Sequence, residues 1–214
     1  MYVPHPSQEL NDLFVSKPYQ GVAPEAARFL FIGLDANYDR AIETRGIFSR
    51  VREYHQDGVA FWQASGVHHP FLLPEYSGDG QFYHRSFARI GFGPQHAPLV
   101  SFTELLHVPT VGRSSLIPVD LDPAHLKNLN TAIREGQARH IFIPAGVARL
   151  MNATEAFPWL AKTLKERFGP LGIYLRDSDT TVYSHLHFSV YGKFEKQKVE
   201  EAKAIRELLE LADG

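Results

Sequence analysis

Hydrophobic residues along this chain group into short runs separated by stretches with helical spacing. Runs of strand length cover residues 28–34, 140–144, 172–175 and 181–185, and a shorter run covers 98–102. Apolar residues that recur every three or four positions predict helices over 37–54, 122–135, 156–168 and 195–212, and shorter helices over 83–90 and 145–151. Strands alternating with helices are typical of a mainly parallel sheet with helices on both faces.

This pattern predicts an α/β fold with three layers, α/β/α, around a central, mainly parallel sheet of about four strands. A Pro-rich start marks residues 1–27 as an N-terminal arm. We expect residues 28–214 to form a single domain that closes with the helix at 195–212. The stretch from 56 to 93 is rich in Gly, His, Pro and aromatic residues and shows little regular periodicity.

The composition limits the classes of function. The chain has no cysteine, which excludes disulfides, thiolate nucleophiles, iron–sulfur clusters and cysteine-type zinc sites. A net charge of −2 gives no overall basic footprint of the kind that nucleic-acid-binding proteins commonly carry. No apolar run approaches the roughly 20 residues of a membrane span, and residues 1–6 lack a signal-peptide pattern. We therefore expect a cytoplasmic protein with no membrane partner.

The first candidate for chemistry is Asp35. The strand predicted at 28–34 carries Gly33 near its end, and the carboxylate of Asp35 follows two positions later. Ligand sites in open α/β sheets lie at the carboxyl ends of the strands, so Asp35 is well placed for catalysis. The alternative is that its carboxylate caps the following helix.

The second candidate is the pair His185 and His187. Two histidines two positions apart on a strand point to the same face, as the ligands of a metal site do. Asp35, His107 and Asp177 are the candidates for a third ligand. The alternative is that one or both imidazoles are structural or face solvent.

The third candidate is the aromatic pair Phe61 and Trp62. Their rings either pack in the core, as most aromatic pairs do, or offer a flat face on which a planar base stacks. The glycine-rich patterns that cradle phosphates are absent, as is the Gly-x-Ser-x-Gly elbow of hydrolases. The chemistry therefore rests on carboxylate, imidazole and aromatic groups.

The order of these pieces resembles the uracil-DNA glycosylase superfamily, in particular its mismatch-specific and single-strand-selective branches. Three short motifs of that family have counterparts here, at Gly33-Leu34-Asp35-Ala36, Val59-Ala60-Phe61-Trp62 and His187-Phe188-Ser189. Between them, residues 99–112 fit a strand with a polar loop, and residues 122–151 fit a capped helix, a strand and a short helix. The resemblance spans residues 28–193.

The resemblance implies an enzyme, a DNA glycosylase that extrudes uracil or a related deaminated base and hydrolyses its N-glycosidic bond without a metal or another cofactor. It implies that Asp35 orients the attacking water and that His187 donates to the carbonyl oxygen of the departing base. It also implies a base-binding set in which Phe61 stacks on the base, together with Gly33, Leu34, Ala36, Asn37 and Thr103. Glu104 is a second candidate, besides Thr103, for reading the edge of the base.

The implied partner is DNA that contains a damaged base, bound by a monomer. The DNA-contacting residues would be Ser189, Val190, Tyr191 and Lys193, with Tyr191 at the place where relatives insert a wedge. The family's two motif prolines are replaced by Ala36 and Phe188, and His185 competes with His187 for the catalytic position. Two alternatives stay open: a member that binds nucleic acid or a nucleotide without cleaving it, and a metal-dependent hydrolase that uses His185 and His187.

Overall fold

The computed structural model describes residues 2–112 and 115–213. Within these residues, seven strands form one sheet: β1 (Tyr19–Gly21), β2 (Phe29–Gly33), β3 (Val100–Glu104), β4 (His140–Pro144), β5 (Glu166–Phe168), β6 (Leu171–Arg176) and β7 (Thr181–His185). The α-helices of the same residues are α1 (Gln8–Ser16), α2 (Phe48–Gln56), α3 (Gly58–Ser65), α4 (Gln81–Ala88), α5 (Pro123–Glu135), α6 (Ala145–Asn152) and α7 (Glu195–Asp213).

The sheet is mixed, with the strand order β1-β3-β2-β4-β7-β6-β5. Its four central strands, β3, β2, β4 and β7, run parallel to one another. The strands β1, β6 and β5 add to the edges in antiparallel orientation. The α/β class is confirmed, whereas the prediction of about four mainly parallel strands is wrong, because the short strands β1 and β5 were not predicted and because β1 and β6 pair antiparallel with their neighbours.

Helices cover both faces of the sheet, and the alternation of side chains along β2 shows how. Phe29 and Phe31 pack on one face with residues of α4 and α7, including Phe87 and Ile205. Leu30 and Ile32 point to the other face, where they meet apolar residues of α5 and α6. Because both faces are covered, every residue of β2 is buried, which explains its continuous apolar run.

The segment predicted as an N-terminal arm contributes two elements to the domain. Ser7 caps α1 by accepting a hydrogen bond from the Leu10 amide, and Leu10 and Phe14 of this helix are buried. The strand β1 then pairs antiparallel with β3, with Tyr19 opposite Thr103. Residues 1–27 therefore supply a helix and one edge of the sheet.

One predicted helix begins later than expected, and a second is wrong. The segment 37–54 forms a loop and a 3-10 turn at Ile42–Thr44, and α2 begins only at Phe48. Residues 156–168 form turns and then β5, which returns through Gly169 to pair with β6. Phe157 and Leu160 supplied the apolar spacing of a helix, but they are buried from a turn that contains Pro158, whose missing N–H disfavours a helix interior.

The other strands and helices predicted for the second half of the chain agree with the structure. Asp122 accepts a hydrogen bond from the His125 amide and caps α5, as the sequence indicated. The strands β4, β6 and β7 and the final helix α7 lie where their patterns predict. No helix among the described residues is long and apolar enough to cross a membrane.

Candidate functional site

A cavity of about 260 Å³ lies at the carboxyl ends of the parallel strands β2 and β3. Three acid–base groups line it: Asp35 just beyond β2, Glu104 at the end of β3, and His187 two residues beyond β7. The other lining residues are mostly aromatic or imidazole-bearing: Gln20, Gly33, Leu34, Ala36, Asn37, Tyr38, Tyr54, His68, His69, Phe71, Gly80, Tyr83, His84, Phe102 and Ser189. The topology therefore brings residues from both ends of the chain into one site.

Asp35 is held by the loop that follows β3. Its carboxylate accepts a hydrogen bond from the Thr110 hydroxyl, and the side-chain amide of Asn37 donates to the same hydroxyl oxygen at 3.2 Å. The backbone of the two loops is also joined, since Thr110 donates to the Ala36 carbonyl and accepts from the Tyr38 amide. Asp35 does not cap a helix, because the next α-helix begins at Phe48. Its carboxylate is instead fixed at the cavity wall.

A hydrogen bond to the backbone sets the tautomer of the neutral His187 ring. Its Nδ1 accepts a hydrogen bond from the Ser189 amide at 3.2 Å, so in the neutral ring the proton is on Nε2. Burial lowers the pKa of His187, and the carboxylate of Asp35 opposes that shift only in part. At neutral pH His187 is therefore a neutral imidazole whose Nε2–H is a hydrogen-bond donor.

Glu104 places its carboxyl group against the backbone of Gly33. A Cβ added at Gly33 would lie 1.9 Å from Oε2 of Glu104, so only glycine leaves room for this carboxyl group. Burial, and then the nearby charge of Asp35, raise the pKa of Glu104 well above its ordinary value. The backbone carbonyl of Glu104 is engaged by Nε2 of His125 at 2.8 Å, which fixes the end of β3. Glu104 therefore holds its proton more tightly than an ordinary carboxyl group does.

Imidazole rings form one side of the cavity. The rings of His69 and His84 stack face to face with centroids 3.6 Å apart, and Nε2 of His68 lies 3.2 Å from Nδ1 of His84. Nδ1 of His69 accepts from the Phe71 amide at 3.1 Å. Burial lowers the pKa of all three histidines, and that of His84 to about 3. The cluster is therefore neutral and acts as a flat, weakly polar wall.

Buried neutral histidines make stability depend on pH. His55, His84 and His185 each have a pKa lowered to about 3 by burial, against about 6.5 in an unfolded chain. Because the unfolded state binds more protons below pH 6.5, stability is lost as the pH falls from there toward 3. Burial raises the pKa of Glu104 and Glu201, so these two groups favour the folded state as the pH falls. They are fewer than the buried histidines, so stability still decreases toward low pH.

We therefore expect the free energy of unfolding, measured with urea, to fall by at least about 1 kcal/mol between pH 7 and pH 5. His55→Gln removes one of the buried imidazoles with a lowered pKa and should flatten this profile. Stability that is constant or higher at pH 5 would contradict the assignment of neutral histidines to the folded state.

Two residues predicted to bind a base lie elsewhere. Phe61 is buried under α2, with its ring edge-on to Tyr54 and the guanidinium of Arg50 over its face, and it does not line the cavity. Thr103 points away from the cavity, and its hydroxyl donates to the Pro18 carbonyl. Gly33, Leu34, Ala36 and Asn37 line the cavity. The aromatic rings of Phe71, Tyr83 and Phe102 line the cavity, whereas that of Phe61 does not.

The side chains of His185 and His187 lie in two different cavities. His187 lines the cavity, whereas His185 is buried in a small pocket beneath α7, beside Lys198 and Glu201. No group of three or more His, Asp or Glu side chains in the described part of the chain is arranged to hold a metal ion. His185 and His187 therefore share no site, and of the two only His187 lines the cavity.

The predicted DNA-contacting residues lie on the segment after His187. Ser189 lines the cavity, and the Val190 amide closes a turn onto the His187 carbonyl. Tyr191 is 75% exposed, and Lys193 is exposed with its ammonium group over the ring of Phe194. This segment therefore connects the cavity to the protein surface.

Several cavity residues were not identified from the sequence. They all come from the part of the chain between β2 and β3, which is rich in His and aromatic residues: Tyr38, His68, His69, Tyr83 and His84. Its concentration of His and aromatic residues was the available signal, since such residues in irregular segments commonly line sites.

No protein-family model matches the chain, and no curated protein matches it in sequence.

Proposed function

We propose that this protein is a DNA glycosylase that binds a flipped-out uracil or a related deaminated base in the cavity and hydrolyses its N-glycosidic bond without a metal ion. The observation that carries the proposal is that Asp35 and His187, separated by most of the chain, line the same cavity among aromatic rings. The order of motifs that resembles the uracil-DNA glycosylase superfamily supports it.

The dimensions of the cavity suit a nucleobase. A volume of about 260 Å³ accommodates one flat heterocycle, and the rings of Phe71, Tyr83 and Phe102 offer apolar surface to it. Stacking of a base on an aromatic side chain is worth about 1–3 kcal/mol, which offsets the few kcal/mol needed to unstack a nucleotide. The cavity therefore supplies the kind of contact that base extrusion requires.

The two acid–base groups have complementary roles in the reaction. A water molecule held by the Asp35 carboxylate adds through its oxygen to C1′ of the sugar as the bond from C1′ to the base breaks. The bonding electron pair leaves with the base, whose carbonyl oxygen gains negative charge and accepts a hydrogen bond from Nε2–H of His187. The proton lost by the water passes to Asp35, and the departing base takes up a proton from solvent.

The charge of Asp35 also stabilises the positive charge that develops on the sugar before water adds. A neutral His187 fits this role, because its Nδ1 accepts from the Ser189 amide and its Nε2–H is left as the donor to the base. The segment of Ser189, Val190, Tyr191 and Lys193 leads from the cavity to the surface, where the exposed ring of Tyr191 can fill the space that an extruded base leaves.

The proposal is tested with oligonucleotides that contain uracil, hypoxanthine or a thymine mismatch, in single- and double-stranded form. Incubation is carried out in EDTA, followed by alkali, which breaks the strand at abasic sites. We expect breaks at the position of the damaged base. Cleavage that disappears on chelation indicates the metal-dependent hydrolase, and tight binding without abasic sites across the panel indicates the non-catalytic binder; either result contradicts the proposal.

A further inference from the structure

The backbone that leads from β7 to His187 is bonded to a side chain of α7. The pairing of β7 with β4 ends at His185, opposite Pro144, so the next amide, that of Leu186, lies beyond the ladder. This amide donates to Oε2 of Glu201 in α7, at 2.8 Å. Because a buried N–H group requires an acceptor, the carboxylate of Glu201 completes the end of the strand.

The carboxylate of Glu201 is itself held in place. Its other oxygen, Oε1, accepts from the side-chain amide of Gln197, one turn earlier in α7, at 2.9 Å, and only 5% of the residue is exposed. No described Lys or Arg forms an ion pair with Glu201, since Lys198 of the same small pocket pairs with Glu195 at 3.0 Å. A buried carboxylate without a cation lowers stability unless its hydrogen bonds compensate. Glu201 therefore serves as a fixed acceptor for the backbone.

Three hydrogen bonds hold the segment that carries His187. The Leu186 amide is bonded to Glu201, the Val190 amide donates to the His187 carbonyl at 3.0 Å, and the Ser189 amide donates to Nδ1 of the ring at 3.2 Å. The last two bonds lie within the segment, so only the first of the three joins it to another element. Loss of that bond would leave the turn formed but free to shift relative to the cavity.

The position of His187 matters because its proposed role is directional. A donor stabilises a developing oxyanion only when it lies about 2.7–3.1 Å from that oxygen, and a displacement of about 1 Å costs about 100-fold in rate. The ring of Phe188 also anchors the segment, by packing against rings such as Phe87, but burial of an apolar ring is non-directional. The bond to Glu201 is therefore the contact that sets the direction of the donor.

We infer that Glu201 is a positioning residue, which holds the Leu186 amide from α7 and so orients Nε2–H of His187 toward the base. The inference rests on the proposed function, because the reaction gives this donor its role. It also assigns a function to α7, none of whose described residues lines the cavity. Since Glu201 acts as an acceptor, a neutral acceptor at the same place should serve equally well.

Two replacements separate the acceptor from the bulk of the side chain. Glu201→Gln keeps a carbonyl oxygen for the Leu186 amide, whereas Glu201→Met fills the same space without that acceptor. We expect Glu201→Met to slow single-turnover release of the base by about 10- to 100-fold with unchanged affinity for uracil-containing DNA, and Glu201→Gln to stay near the wild-type rate. Glu200→Met is the matched control, because Glu200 is exposed and pairs with Lys203 at 3.5 Å.

A double variant shows whether Glu201 acts through His187. In the background of His187→Ala there is no donor to orient, so adding Glu201→Met should cause no further loss of rate. Losses that multiply in the double variant would overturn the inference, because Glu201 would then support the site independently of His187.

The orientation of the His187 ring is also measurable without any reaction. Its centroid lies 5.5 Å from that of Tyr83 in α4, so the protons of the two rings should give NOEs in wild type and in Glu201→Gln. We expect Glu201→Met to lose these NOEs and to exchange the Leu186 amide proton with solvent faster than wild type does. Unfolding midpoints establish that each variant is folded.

The outcomes separate this inference from the proposed reaction. A wild-type rate in Glu201→Met, a loss in Glu201→Gln as large as in Glu201→Met, or unchanged NOEs to Tyr83 in Glu201→Met would each overturn the role of Glu201. Exchange of the Leu186 amide in wild type as fast as that of an exposed loop amide would overturn it even if Glu201→Met did not fold. The expected NMR changes without release of base from any oligonucleotide would support Glu201 and overturn the glycosylase instead.

Discussion

Asp35→Asn is expected to slow release of the base by at least about 100-fold while affinity for uracil-containing DNA is kept or increased. The amide keeps the size of the side chain but cannot take the proton from water or oppose positive charge on the sugar. Because these interactions matter chiefly in the transition state, their loss lowers kcat more than it changes binding. Single-turnover rates and equilibrium binding to the same oligonucleotide measure the two effects.

Asp39→Asn is the matched control for this variant. Asp39 lies four residues further along the same loop, where its carboxylate accepts from the Ala41 amide and pairs with Arg45 at 2.5 Å, and it does not line the cavity. We expect near wild-type rates for this control. A rate for Asp35→Asn that equals that of wild type would remove Asp35 from the mechanism.

His187→Ala is expected to reduce the rate of base release by about 100-fold, the cost of removing one donor to a developing oxyanion. The loss should be largest for bases whose departing anion is least stable, because the donor from Nε2 compensates for that charge. His187→Gln, which restores a donor of similar reach, should recover part of the rate. Single-turnover kinetics with uracil-containing oligonucleotides check both variants.

His185→Gln is the control that decides between the two histidines. His185 is buried beneath α7 and separated from the cavity, so its replacement should lower stability without changing the rate per folded molecule. If His185→Gln slowed the reaction as much as His187→Ala, the assignment of His187 as the donor would be wrong.

The parallel centre of the sheet was predictable because its strands are buried on both faces. The strands β2 and β4 are apolar runs that end in Gly33 and Pro144, which identifies a covered strand, whereas β7 is marked by the strand-favouring residues Thr181, Val182 and Tyr183. The edge strands β1 and β5 have three residues each, and neither is an apolar run, so they lack that signal. Their pairing is set by tertiary contacts, which periodicity does not record.

The sequence predicted only part of the candidate site, namely residues at or near the ends of strands. Asp35 was identified because it follows a strand, and His187 because it pairs with His185 and begins the motif His187-Phe188-Ser189. The structure brings both side chains to one cavity. Phe61 was misassigned because a buried aromatic helix residue and a cavity residue have the same sequence signal. At β3 the choice between Thr103 and Glu104 depends on which face of the strand points to the cavity, and only the pairing of β3 with β1 and β2 decides that.

The imidazole wall could not be predicted because it depends on long-range packing. His69 and His84 are 15 positions apart and come from a turn and a helix that have no shared periodicity. Their stacking arises only when α4 folds over the 3-10 turn at Pro70–Leu72. Sequence identified the enrichment in histidine but not the partners of each ring.

The most direct test of the account is a crystal structure of Asp35→Asn bound to a uracil-containing oligonucleotide. We expect the uracil outside the stack and inside the cavity, with Nε2 of His187 about 3 Å from a carbonyl oxygen of the base. A uracil that stays stacked in the DNA, or that binds at another surface while the cavity holds no base, would contradict it.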